Sequence, residues 1–439
     1  MEMQQLSPQG IDFFHLPLEK GTVTLSQTTL DGYSTFRRIK TPFRYIKLRK
    51  ISFHREILTI GIIFGEEKEE LVYLQVKPTE LLVGCSVDTS ENFLSRYAYY
   101  VLYNLMDNNG ECDFKEFYWP DFFHPRTGKS KYLNIINDRR GLNVILKAKY
   151  SYFYKPEFGL YHPFKETVSP ARLKRFPNTQ SIINISASNA VIGYCFAHTT
   201  FVSYRPNHYP FSIPYLGNLG RNKKVIKNYA YFITDAETSA EPNYSPVQTQ
   251  LHPILVKMKV LAEIRNAQFS HSKAEKEEIR NHNMERRDQL FYLWQEAYPM
   301  LQSQSYTHYF MTYGMKNLAP KPFKKYLIPC VFAREIPVIY FQWLDKGDYY
   351  ELKMRFRIGN TTLVPEAESP VFFLRSAKEP MKFYLLGTLA DYQLSAFFEA
   401  RHFSICVLKA HYSQQFQDFI NQLESLYEFK KATTKELSN

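Results

Sequence analysis

Cysteine is scarce in this chain: Cys85, Cys112, Cys195, Cys330 and Cys406 are the five among 439 residues, and they are widely scattered. That spacing excludes the disulfide framework that staples small secreted domains and leaves ordinary reduced, buried thiols as the expectation. Long apolar runs are lacking too. The stretch Ile57–Phe64 is far too short to span a bilayer. Met1-Glu-Met-Gln-Gln lacks the basic start and apolar run of a signal peptide. A cytoplasmic protein with no membrane contact is expected.

Negative charge is also in deficit. The chain has 55 Lys and Arg against 43 Asp and Glu, for a net charge of +12. Excess positive charge favours polyanions such as DNA or RNA through counterion release. Many basic proteins bind neither, so charge alone leaves nucleic-acid contact an even choice.

Aromatic residues, by contrast, are plentiful, with 33 Tyr and 35 Phe in a chain that is 44% apolar. That is enough for packed cores and argues against wholesale disorder. Aromatics favour strands. The expected fold class is α+β, with mixed β-rich modules and a central helical segment. Length suggests two or three domains.

Along residues 1–150, Phe43–Phe53, Glu56–Phe64 and Glu70–Gln75 read as strands. Phe93–Met106 reads as a helix with Leu94, Tyr97, Val101, Leu102 and Leu105 at helical spacing, stopped by Asp107-Asn-Asn-Gly110. Residues 151–250 read as an aromatic-rich β domain. Val191–Thr200 and Asn228–Thr234 are its strands, separated by the proline-stiffened Tyr209–Tyr215 and a polar loop Gly217–Lys224.

Residues 251–319 read as helical. Ile254, Met258 and Leu261 share one face, and Leu290, Leu293, Trp294, Ala297 and Leu301 share a face of the next helix. The charged Ser272–Asp288 between them reads as a solvated helix face. Residues 320–439 read as hairpins followed by amphipathic helices. Val338–Trp343 and Tyr349–Ile358 close through Asp345-Lys-Gly-Asp348, Val371–Leu374 and Lys382–Leu386 form a second pair, and Ala390–Ala400 and Gln414–Tyr427 are the helices.

Gly128-Lys-Ser130 has the end of a phosphate-binding loop, but the required first glycine is Phe123 and Pro125 removes an amide donor. A plain surface turn is expected there. With no acidic magnesium motif after a hydrophobic strand, no ATPase chemistry is expected. Cys195 and His198 lie three residues apart on a strand and so face opposite sides, against a catalytic pair. Asp345 and Asp348 flank a turn, without the marks of a paired acid and base. No catalytic residue, metal or cofactor is expected.

The candidate nucleic-acid contacts are basic. Gly32–Arg55 contains no Asp or Glu and carries Arg37, Arg38, Lys40, Arg44, Lys47, Arg49 and Lys50 among interleaved aromatics. If Thr41–Ile51 is a strand, Arg44, Ile46, Leu48 and Lys50 share one face, and Tyr45, Lys47, Arg49 and Ile51 the other. That is not a one-sided stripe. A phosphate-tracking groove and a strand edge guarded against aggregation are equally open. Arg221, Lys223, Lys224 and Lys227 form a weaker loop cluster.

Cys85, Val87, Ser95 and Tyr97 occupy positions resembling the four ligands of a SWIM-type zinc finger, running into a helix at about 80–106. Only Cys85 binds zinc well, and one thiolate cannot hold a structural ion. Val87 and Tyr97 are expected to fill the space with packed side chains. Leu251–Lys259, Leu290–Pro299, Pro337–Phe341 with Asp348–Arg355, Phe383–Tyr392 and Lys409–Phe416 follow in that order. Together these stretches resemble the N-terminal accessory region of bacterial Swi/Snf-type helicases of the DEAD/DEAH-box class. Asn439 falls where that family's ATPase lobes would begin. The resemblance implies a DNA-associated, non-catalytic accessory protein, contacting DNA or a helicase motor (an ATPase) encoded separately. A protein-interaction module without nucleic-acid binding is the alternative.

Overall fold

The computed structural model describes residues 11–19, 21–34, 45–87, 91–139, 141–156, 158, 175–177, 189–199, 207–222, 225–233, 244–267, 272–312, 322–366 and 369–433. These form an α+β structure rich in strands and divided among several sheets.

The N-terminal part runs β1 (Phe14–Pro17), β2 (Thr24–Ser26), α1 (Gln27–Tyr33), β3 (Ile46–His54), β4 (Ile57–Phe64), β5 (Glu70–Val76), β6 (Glu80–Cys85), α2 (Arg96–Leu105), β7 (Glu111–Asp113), β8 (Leu133–Asp138) and β9 (Gly141–Leu146). An antiparallel sheet takes the order β1-β6-β5-β4-β3, so β3 is an edge. The alternation that marks these strands in the sequence puts Leu58, Ile60, Ile62, Val72 and Leu74 into one core. Helix α2 starts later than its apolar pattern suggests. Ser95 is its N-cap and accepts a bond from the Tyr97 amide, which fixes the first turn.

The middle part runs β10 (Ala190–Thr199), β11 (Asn207–His208), β12 (Phe211–Leu219), β13 (Ile226–Phe232), α3 (Pro246–Ala262), β14 (Glu263–Ile264), α4 (Lys273–Gln302), β15 (Thr307–Thr312) and β16 (Ile328–Pro329). Here the structure corrects the sequence: Phe211–Leu219 is a strand lying between β10 and β13, not a stiff segment followed by a loop. Pro214 has no amide to give the ladder, yet its carbonyl still accepts from Ile233. The gain from burying Phe211, Ile213 and Tyr215 outweighs the missing bond.

A second correction concerns α4, which fuses the charged stretch and the apolar stretch into one 30-residue helix. Its first turns are solvated, as expected. Further on, Arg286 donates to the Val260 and Leu261 carbonyls and Asn283 clamps Arg265, tying α4 to the end of α3.

The C-terminal part runs β17 (Val331–Phe332), β18 (Val338–Asp345), β19 (Tyr349–Ile358), β20 (Thr361–Leu363), β21 (Phe373–Ser376), β22 (Glu379–Leu385), α5 (Leu389–Glu399), β23 (Ser404–Leu408), α6 (Gln414–Leu426) and β24 (Glu428–Thr433). The β18–β19 hairpin closes as expected. Gly347 sits at φ +88° and donates to Asp345 Oδ1 at 2.8 Å. β18 pairs in parallel with β24, and β19 pairs with both β20 and β23.

One core draws on residues from Phe176 to Leu385, so it spans the divisions placed at 250 and 319. Another joins N-terminal residues to Cys406 and Leu408 of β23. The backbone supports that junction: Tyr154 donates to the Cys406 carbonyl and Cys406 to that of Tyr152.

Gly193 allows the closest packing in the middle sheet. A Cβ there would sit 2.3 Å from the hydroxyl of Tyr215, which is fully buried. Gly193→Ala is expected to cost about 1–3 kcal/mol in urea denaturation. Gly61→Ala, whose new Cβ meets mainly the flexible Glu69 side chain, is expected to cost less.

Candidate nucleic-acid interface

Of the basic residues expected from the sequence, Arg37, Arg38, Lys40, Arg44, Lys223 and Lys224 lie outside the described residues. Lys47, Arg49 and Lys50 are on the edge strand β3. Lys47 and Arg49 are exposed, as alternation requires, but Arg49 Nη2 is held by both oxygens of Glu69 at 3.2 and 3.0 Å. Lys50 lies over the Phe117 ring, 4.8 Å from its centre. The three cations therefore do not form one row.

A cleaner row lies on β19, where charge density alone does not point. Leu352, Met354 and Phe356 are buried and pack in the core shared with Phe398, Phe416 and Phe419. The intervening Lys353, Arg355 and Arg357 therefore take the opposite face. Beside them on that face stand Tyr340 and Gln342 of β18 and Glu428 and Lys430 of β24. Tyr340 is opposite Arg355 and Glu428, and Gln342 opposite Lys353 and Lys430.

The row is held by specific contacts. Arg357 Cζ and Lys430 Nζ lie 5.8 and 4.9 Å from the centre of the Tyr340 ring. The Tyr340 hydroxyl meets Thr362 Oγ1 at 3.3 Å. Arg355 Nε donates to Gln342 Oε1 at 3.3 Å. Arg357 pairs with Glu428 at 2.6 Å and Lys353 with Glu351 at 3.1 Å. Four cations thus face two carboxylates. The Arg357 and Lys430 side chains retain 32% and 53% exposure, within reach of a solvent-borne anion. Tyr340 is only 5% exposed, so it positions cations and offers no platform for a base. The alternation in Glu351-Leu-Lys-Met-Arg-Phe-Arg-Ile358 is the sequence signal for this face.

The finger-like region is strand, loop and helix. Cys85 is buried at the end of β6, Ser95 caps α2, and Tyr97 packs 5.1 Å from Phe64. Val87 does not fill the space, contrary to expectation: it is 48% exposed. Among the described residues, no group of three or more His, Cys, Asp or Glu is arranged to hold a metal.

Gly128-Lys-Ser130 lies in a closed turn whose amides are used internally. Gly128 donates to the His124 carbonyl, and the Arg126 and Thr127 amides both point at His124 Nδ1. Cys195 is fully buried, and its pKa is raised well above the usual thiol value by burial. Burial pushes the Cys112, Cys330 and Cys406 thiols up to about 12, which suits packing rather than nucleophilic attack.

His198 Nδ1 lies 2.8 Å from the Tyr309 hydroxyl, and His308 bridges Tyr215 and Tyr229. Burial lowers both histidines to about 4. Asp345 holds Lys409 at 2.9 Å, and Asp348 pairs with Lys131.

No family model, curated protein or solved structure matches the chain. No helix among the described residues is long and apolar enough to cross a membrane.

Proposed function

We propose that this chain is a non-catalytic accessory protein that contacts nucleic acid, in the first instance DNA, through the outer face of β18, β19 and β24. The observation that supports this reading is the one-sided row Lys353, Arg355 and Arg357, joined by Lys430 across the sheet. Phosphate contact needs cations that are positioned yet open to solvent, and it dominates affinity for nucleic acid. A separately encoded helicase motor is the protein partner that the family resemblance adds.

Binding of a fluorescent DNA oligonucleotide by the full chain tests the reading. With three or four phosphates neutralised, affinity is expected to fall roughly 20- to 50-fold between 50 and 200 mM salt. No binding at 50 mM salt would overturn it. That result would favour the second reading, a protein-interaction module without nucleic-acid contact. The apolar groove between α3 and α4, where Val260 and Tyr292 stand exposed, is the observation in its favour.

A further inference from the structure

We infer that the β18–β19–β24 face binds the phosphodiester backbone without reading bases, over a footprint of three to four phosphates. This rests on the nucleic-acid reading above and narrows it to sequence-independent recognition.

Geometry supports the backbone as the ligand. Alternate residues on a strand are about 6.6–6.8 Å apart, so Lys353, Arg355 and Arg357 form an evenly spaced row roughly 13–14 Å long. A row of that kind fits a chain of repeating anions better than one compact anion. At its centre is Arg355. Among the described residues its hydrogen-bond partner is the neutral Gln342, whereas Lys353 and Arg357 each have a carboxylate. Among the described residues Arg355 is thus the cation of this row least neutralised, and it is the anchor for a phosphate.

The same face has few neutral groups free to read a base, and its guanidinium groups are engaged: Arg357 grips Glu428 with both terminal nitrogens, and Arg355 Nε donates to Gln342. Base edges are read by side-chain amides, hydroxyls and guanidinium groups that can reach them, and single-stranded bases also by exposed rings. Tyr340 is buried beneath Arg357 and Lys430. The Gln342 oxygen is taken by Arg355, and the Thr362 hydroxyl meets Tyr340. A major groove about 12 Å wide admits a helix or a two-stranded ribbon. β24, β18 and β19, with β20 and β23 beyond them, present a broader surface that stays on the backbone.

The experiment uses the full chain and two fluorescent single strands of equal length, oligo-dT and a mixed-base strand. Each is titrated from 50 to 200 mM salt against the wild type, Arg355→Gln and the triple variant Lys353→Gln, Arg355→Gln, Arg357→Gln. Expected are affinities for the two strands within about threefold, since no base contact discriminates. The plot of log K against log salt is expected to slope at roughly −2 to −3. It should flatten by roughly 0.7 for Arg355→Gln and by roughly 2 for the triple variant.

A preference above about tenfold for one strand would overturn the inference. So would binding whose slope neither variant changes, which would move the contact elsewhere while leaving nucleic-acid binding intact. No binding by the wild type would remove both readings. Circular dichroism checks the fold; if the triple variant unfolds, Arg355→Gln alone decides.

Discussion

Trp294→Ala is expected to destabilise the fold by about 3–5 kcal/mol, read as a shift of the urea midpoint by circular dichroism. Trp294 has no exposed surface and lies in the core of the middle part. Its ring meets Phe196 and Phe373 edge-on at 5.3 and 4.9 Å, linking α4 to β10 and β21. Its indole donates to the Pro210 carbonyl at 2.8 Å, just before β12. Alanine would leave a large cavity and an unpaired carbonyl together, two costs that add. Trp294→Phe keeps most of the volume and loses only the donor, so it should cost less. Similar small losses for both variants would contradict this packing.

Acid is expected to act as strongly, through buried histidines. His198 and His308 sit at about 4 in the fold against 6.5 for the free side chain. Between those values the unfolded chain binds protons that the folded chain refuses. Their contribution is therefore complete above pH 6.5 and is lost as pH falls through about 4. At 1.36 kcal/mol per pKa unit, each histidine can contribute about 3 kcal/mol. His411, lowered by burial despite the neighbouring Asp121, acts in the same direction. Glu56, pushed up by burial, opposes the trend at lower pH. Urea midpoints at pH 7, 5.5 and 4 should fall steadily, and His308→Gln should flatten the decline. A level profile would mean that these imidazoles are solvated.

The fold was legible wherever local pattern and local contact coincide. β4 and β5 are short apolar runs bounded by charged turns, α2 carries its apolar face, and Asp345-Lys-Gly-Asp348 names its own turn. Pairings between distant segments left no local trace. β10 beside β15, and β18 beside β24, are parallel neighbours joined only in three dimensions. β12 was hidden because Pro214 argues against an interior strand, and burial overrode that local rule.

The interface divides in the same way. Lys47, Arg49 and Lys50 attract notice because basic residues crowd that segment, yet the strand sends them to different faces and Glu69 neutralises one. The row on β19 has fewer charges in sequence. It becomes a surface only when Phe356 and its neighbours commit the other face to the core and β24 brings Lys430 alongside.

Charge reversal on that surface is the most direct measurement. The full chain and the variant Lys353→Glu, Arg355→Glu, Arg357→Glu are compared for binding to one single-stranded oligonucleotide at 100 mM salt. Loss of charge-assisted hydrogen bonds worth about 1.5–3 kcal/mol each predicts at least a tenfold fall in affinity, with the circular dichroism spectrum unchanged. Equal affinity of the two folded proteins would contradict the account.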